Sequence, residues 1–145
     1  MIQLKAIQKE HVAFFYEWIQ DEQVVKYSLS IFQKINSKKD IDKWFAGLLE
    51  NADDFTRGIF LKDTNQFIGY CGICNISTMN KSGEYFIFIG DKENWGKGVS
   101  TEATKQVVDI GFTQLHLNRI MLTVSKPNIG GVKSYKKRVL KRKAF

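Results

Sequence analysis

Apolar residues change their period several times along the chain, and each change marks an element. Ile2, Leu4 and Ala6 alternate with polar residues and predict a short strand. Val12, Phe15, Trp18 and Ile19 recur at helical spacing, which predicts an amphipathic helix over about residues 9–20 and a short one over 22–27. Ser37 heads the next helix. Asp40 stands three residues on, a weak capping box, and Ile41, Trp44, Phe45 and Leu48 form one apolar face. Phe55 to Leu61 and Phe67 to Ile76 read as strands, joined by the turn Asp63-Thr64-Asn65-Gln66. Lys81-Ser82-Gly83 predicts another turn. Tyr85-Phe86-Ile87-Phe88-Ile89 is aromatic or β-branched throughout and predicts a central strand buried on both faces.

Gly90 to Gly98 then forms a glycine-bearing loop, and Val99, Ala103, Val107, Ile110 and Leu115 give a long helix. Arg119 to Val124 reads as a strand. Asn128 can cap a helix running to about Lys137, with Val132 and Tyr135 on one side. Three antiparallel-type strands followed by strand–helix–strand indicate one α+β domain over residues 1–145, a mixed and mostly antiparallel sheet flanked by helices.

Composition adds exclusions. The 145 residues fit a single domain, and 43% hydrophobic with 26% charged residues is ordinary globular usage, which argues against disorder. No apolar run approaches the ~20 residues of a membrane span, and the first residues lack the features of a secretory signal, so a cytoplasmic protein is expected. Cys71 and Cys74 form one C-x-x-C, but on a strand their side chains would take opposite faces. With no second such pair or nearby histidine pair, they read as buried small apolar residues and no metal site is expected. The net charge of +7 is unevenly placed. Residues 126–145 hold eight basic and no acidic side chains, so the first 125 residues are close to neutral. The basic excess is confined to one tail and forms no interleaved aromatic–basic motif, which counts against a nucleic-acid-binding module.

The chemistry concentrates in the loop. A strand runs through Gly90-Asp91-Lys92-Glu93-Asn94-Trp95-Gly96-Lys97-Gly98 into a helix. The first turn of a helix carries unpaired N–H groups and a partial positive charge, and glycines let backbone approach an anion. That combination favours a phosphate or pyrophosphate, although a turn without any ligand has the same pattern. The P-loop and the dinucleotide fingerprint both fail, the latter because Thr101 stands where a third glycine belongs.

Trp95-Gly96-Lys97-Gly98-Val99-Ser100-Thr101-Glu102-Ala103 resembles the acetyl-CoA-binding motif of GNAT N-acetyltransferases, Gln/Arg-x-x-Gly-x-Gly/Ala, with Trp95 and Ser100 as departures. The form is similar to the branch holding ribosomal-protein N-terminal and spermidine acetyltransferases. A second stretch, Leu117-Asn118-Arg119-Ile120 followed by Asn128-x-x-Gly131-x-x-x-Tyr135-x-Lys137, resembles the last core strand and following helix of that family. The family's next Gly-Phe is absent, so the resemblance implies closing C-terminal strands that are short or missing, in a truncated domain or an incomplete record.

The resemblance implies transfer of acetyl from acetyl-CoA to a primary amine by direct attack in a ternary complex, without a metal. The amine would be a protein or peptide N-terminus, a polyamine or another small amine. It implies that Phe88 or Ile89, at a bulged fourth strand, polarises the thioester carbonyl, and that the splayed strand there lets the pantetheine pair like an extra strand. The pyrophosphate would rest on the amides of Gly96, Lys97, Gly98, Val99 and Ser100, and Trp95, Thr101 and Asn128 would complete the cofactor site. Tyr135 is implied as the acid for the leaving thiolate, and Glu84 is the candidate base. Trp18, Tyr27, Phe32 and Trp44 could line the acceptor pocket, but their helical spacing is equally that of core residues. The resemblance admits a homodimer and involves neither membrane nor nucleic acid. The alternative is a degenerate, non-catalytic acyl-CoA-binding domain, suggested by the short C-terminus.

Overall fold

A computed structural model describes residues 1–26, 32, 34–35, 37–127 and 133–141; of 123–127 and 133–139 it describes the backbone alone. Among the described residues six strands form one sheet in sequence order: β1 (Ile2–Lys5), β2 (Phe55–Leu61), β3 (Phe67–Ser77), β4 (Ser82–Ile89), β5 (Arg119–Pro127) and β6 (Lys133–Lys141). All neighbours are antiparallel except β4 and β5, which are parallel and joined through a helix. The helices are α1 (Val12–Gln20), α2 (Glu22–Lys26), α3 (Lys38–Glu50) and α4 (Val99–Thr113). No described helix is long and apolar enough to cross a membrane.

The alternation of apolar residues on the strands builds two cores, one on each face of the sheet. On one face, Phe15, Trp18, Ile41 and Phe45 from α1 and α3 pack on Phe60, Phe67, Tyr70 and Phe88. On the other, Val99, Ala103 and Val107 of α4 pack on Ile2, Ile59, Ile68, Cys71 and Ile73. The α3 cap forms as its sequence requires: Ser37 Oγ accepts from Asp40 N at 3.1 Å. Cys71 and Cys74 do lie on opposite faces, both free, with burial pushing Cys71 up to about 12 and Cys74 up to about 11. Thiols held so far into their neutral form are poor nucleophiles. Phe32 is buried in the α1–α3 core with Trp18, so these aromatics are packing residues; Tyr27 lies outside the described residues.

Three expectations are corrected. Ser82 and Gly83 begin β4 instead of closing a turn, which falls one step earlier, over residues 78–81. The helix expected up to Lys137 is strand from Lys133 onward. Its backbone pairs with β5 from Pro127↔Lys133 to Arg119↔Lys141, so the sheet has a closing edge strand of nine residues. Local helical spacing of Val132 and Tyr135 yields here to a non-local partner, since pairing decides strand formation more than propensity does. Finally, β4 is central but only half-buried along Glu84–Ile87. For Phe86 and Ile87 the reason is pairing. β4 meets β5 only at Ser82↔Arg119 through Tyr85↔Leu122, and beyond that point the strands part.

Candidate active site

The parting of β4 and β5 opens a cleft along Phe86–Ile89. Strand alternation decides which backbone groups face it. Lys81 O accepts from Arg119 N, and Gly90 N donates to Ile68 O. Odd-numbered residues of β4 therefore turn their N–H and C=O toward the β5 side, and even-numbered ones toward β3. The cleft thus receives the backbone of Ile87 and Ile89, while the Phe88 amide belongs to the β3 ladder. The bulge expected at Phe88 or Ile89 is absent: the β3 register runs unbroken from Cys74↔Glu84 to Gly69↔Ile89. Divergence of β5, not a bulge, exposes this backbone.

At the end of β4 the chain enters the glycine loop, which is anchored at its start. Asp91 Oδ1 accepts from Glu93 N at 3.1 Å, and its Oδ2 accepts from Gln66 Nε2 at 3.0 Å and Asn94 Nδ2 at 3.1 Å. Lys92 Nζ lies 2.8 Å from Asp21 Oδ2 and donates to Gln23 Oε1 at 3.2 Å, tying the loop to α1 and α2. The Lys92 hydrogen bond holds the Asp21 carboxyl below its ordinary range. Trp95 Nε1 donates to Ile89 O at 2.9 Å, so the indole folds back onto the strand.

The loop leaves through two left-handed glycines, Gly96 at φ 76° and Gly98 at φ 79°, and Gly98 is the N-cap of α4. No side chain caps this helix start, and its first return bond is Glu102 N to Gly98 O. The N–H groups of Val99, Ser100 and Thr101 therefore have no partner within the helix.

Strand, loop and helix start together enclose a cavity of about 620 Å³. It is lined by Phe88, Ile89, Trp95, Gly96, Gly98, Ser100 and Thr101 of the expected cofactor residues. Lys97 is exposed beside it, and the Val99 side chain is buried in the α4 core, so only its backbone can serve. Val24, Ile87 and Asn94 also line the cavity and were missed from sequence. Ile87 was readable, because it shares a face and a backbone direction with Ile89. Val24 was not, because only the packing of α2 brings it near.

The expected acid and base are not brought into this cavity by described atoms. Glu84 projects on the α1–α3 face, where its Oε2 accepts from Asn75 Nδ2 at 2.9 Å. It precedes Ile89 by five residues, roughly 17 Å of strand. Tyr135 is on β6 opposite Ser125, one strand beyond β5 as seen from the cleft, and not on a helix. Asn128 lies outside the described residues. Neither histidine reaches the cleft: His11 caps the start of α1, and His116 follows α4 in a left-handed conformation. Among the described residues no group of three or more metal-ligating side chains occurs.

A mostly antiparallel sheet that splits between two parallel strands, with a glycine-led helix start at the split, suits an extended ligand with a phosphate end. Residues 2–137 match the model of the acetyltransferase (GNAT) domain, so the chain belongs to the GNAT acetyltransferase family and is an acetyl-CoA-dependent N-acetyltransferase by class. It is 29% identical over 131 residues to "Uncharacterized N-acetyltransferase p20" of Bacillus licheniformis, covering 90% of this chain and 73% of that one. It is 22% identical over 144 residues to a spermidine N(1)-acetyltransferase of Escherichia coli strain K12, covering 94% and 70%. The fold is similar to a Vibrio cholerae spermidine N-acetyltransferase crystallised with CoA and spermine, at TM-score 0.72, 19% identity and coverage of 86% and 71%.

Proposed function

We propose that this protein transfers the acetyl group of acetyl-CoA to a primary amine by direct attack in a ternary complex. The observation that carries the reading is the shared cavity of Ile87, Ile89, the two left-handed glycines and the α4 start. These residues fit the cofactor. Unpaired first-turn amides suit its pyrophosphate. Cleft-facing backbone of Ile87 suits an amide-bearing arm laid alongside β4 as an added strand.

The bound cofactor supplies an activated acetyl thioester. The Ile89 N–H faces the cleft and is the donor assigned to the thioester oxygen, where charge develops during attack. Phe88 and Val24 supply apolar wall beside the reacting centre. The amine enters from the α1–α2 side, where Val24 forms the near wall. Protein N-termini, polyamines and other small amines all remain within this substrate class, and the spermidine acetyltransferases among the relatives favour a polyamine. The acid is assigned to Tyr135 on the family resemblance, and the base to Glu84 because it stands near the start of β4 and could accept a proton directly or through water. A cytoplasmic location and a homodimer go with the same reading.

A second reading has a specific observation behind it. With Tyr135 on β6 and Glu84 held by Asn75, the described residues place no acid or base in the cavity, as a non-catalytic acyl-CoA-binding domain would have it. Initial rates measured with both substrates varied separate the mechanisms. Intersecting double-reciprocal lines support the ternary complex, parallel lines indicate an acetyl-enzyme, and binding of CoA without amine-dependent turnover supports the second reading.

A further inference from the structure

We propose that Trp95 is a positioning residue that makes Ile89 a one-sided hydrogen-bond donor and so fixes the register in which the acyl-CoA arm docks. The inference rests on the cofactor reading of the cleft and extends it to a side chain that departs from the family pattern. A strand residue normally offers both its N–H and its C=O to a neighbour. At Ile89 both groups face the cleft, but the carbonyl already accepts from Trp95 Nε1 at 2.9 Å. Beyond the last β4–β5 pair at Tyr85, position 87 therefore offers a donor and an open acceptor, whereas position 89 offers a donor and an acceptor already engaged by the indole.

That asymmetry has a consequence for an extended amide ligand. With both carbonyls open, the arm could pair equally well one strand repeat further along, displaced by roughly 7 Å. With the Ile89 carbonyl already accepting from the indole, a ligand N–H in the displaced register would have to share that acceptor in a weaker bond, a cost that selects the other. A carbonyl oxygen suits the Ile89 N–H, and the thioester presents one. Trp95 also lines the cavity and is 37% exposed, so its ring can cover the arm once the bond is made.

The test uses the full chain. Trp95→Phe keeps an aromatic ring and removes the donor; Trp95→Gln restores an N–H without the ring. Trp95→Phe is expected to lower kcat about fivefold, the factor one ordinary hydrogen bond carries. The CoA dissociation constant, measured by calorimetry, should stay within about twofold, because the phosphate end is held by the α4 start. Trp95→Gln should recover most of the kcat. In the native protein, adding CoA should shift the Ile89 amide resonance while the Trp95 indole N–H stays protected from exchange. Unchanged kcat in Trp95→Phe overturns the proposal. So does a loss confined to CoA affinity, which would mean that the indole only folds the loop. An indole N–H released to solvent by CoA overturns it as well. If the native chain shows no CoA binding at all, the cofactor reading itself fails, and this inference with it.

Discussion

Gly90 lies against the indole of Trp18 so closely that a Cβ built there would come within 2.0 Å of Cδ2 and 2.3 Å of Cε3. Trp18 is itself buried between Phe14, Phe15, Phe67 and Phe88, so it cannot withdraw. The contact sets where the chain turns out of β4 into the glycine loop. Gly90→Ala should therefore cost about 1–3 kcal/mol by overpacking. Thermal unfolding should show a lower Tm, with partial recovery in the double variant Gly90→Ala/Trp18→Leu. An unchanged Tm would mean that the loop is free to move away.

Gly98 makes the opposite prediction. A Cβ there meets only the Met1 side chain at 3.8 Å, so there is space, but φ of 79° strains any L residue. Gly98→Ala should cost about 1–2 kcal/mol of stability. Because the added methyl also stands at the helix start, the KM for acetyl-CoA should rise about tenfold, an effect of similar size. A stability loss without a change in KM would remove Gly98 from the cofactor site.

Phe15 is the hub of the aromatic core. It is fully buried, and its ring lies 5.2–6.2 Å from those of Trp18, Phe32, Trp44, Phe45, Phe67, Tyr70 and Phe88. Phe15→Ala should cost about 3–5 kcal/mol through lost transfer energy and the residual cavity. Chemical denaturation with an unchanged m value measures it directly. A loss below about 1 kcal/mol would show that the helices pack independently of this ring.

His11 gives a pH dependence. Burial lowers its pKa from the ordinary 6.5, with Glu10 opposing and Lys5 adding to the shift. Its Nδ1 accepts from Gln8 N at 2.8 Å, and its ring stacks on Phe67 at 4.7 Å. Below pH 6.5 the unfolded chain takes up this proton more readily than the folded one, so stability falls as pH drops toward the folded pKa. Tm should therefore decline between pH 7 and pH 5 more steeply in the native protein than in His11→Asn. Parallel curves would assign the pH dependence to other groups.

Much of this architecture was legible because local pattern and long-range packing agree. Phe55–Leu61 was bounded to the residue by its apolar composition and flanking turns, and Ser37 announced α3 by its own capping chemistry. The glycine loop was legible for the same reason: Gly96 and Gly98 stand where the backbone needs positive φ. Disagreement appears where a distant partner decides. Tyr135 stands at helical spacing from Val132, yet β5 offers Ile120 and Met121 as partners for Leu140 and Val139, and the chain from Lys133 to Lys141 is strand. Half-burial of Phe86 and Ile87 was likewise invisible, since it follows from the point at which β5 turns away. Ile87 and Val24 entered the site through that divergence and through α2 packing, neither of which is a local property of the sequence.

The most direct test of the central claim is release of free thiol from acetyl-CoA by the purified chain with a panel of primary amines: polyamines, short peptides with free N-termini and simple alkylamines. The account predicts saturable release that depends on at least one of these amines, with the acetylated amine recovered as product. Tight CoA binding with no amine-dependent release across the panel would contradict catalysis and leave a binding domain in its place.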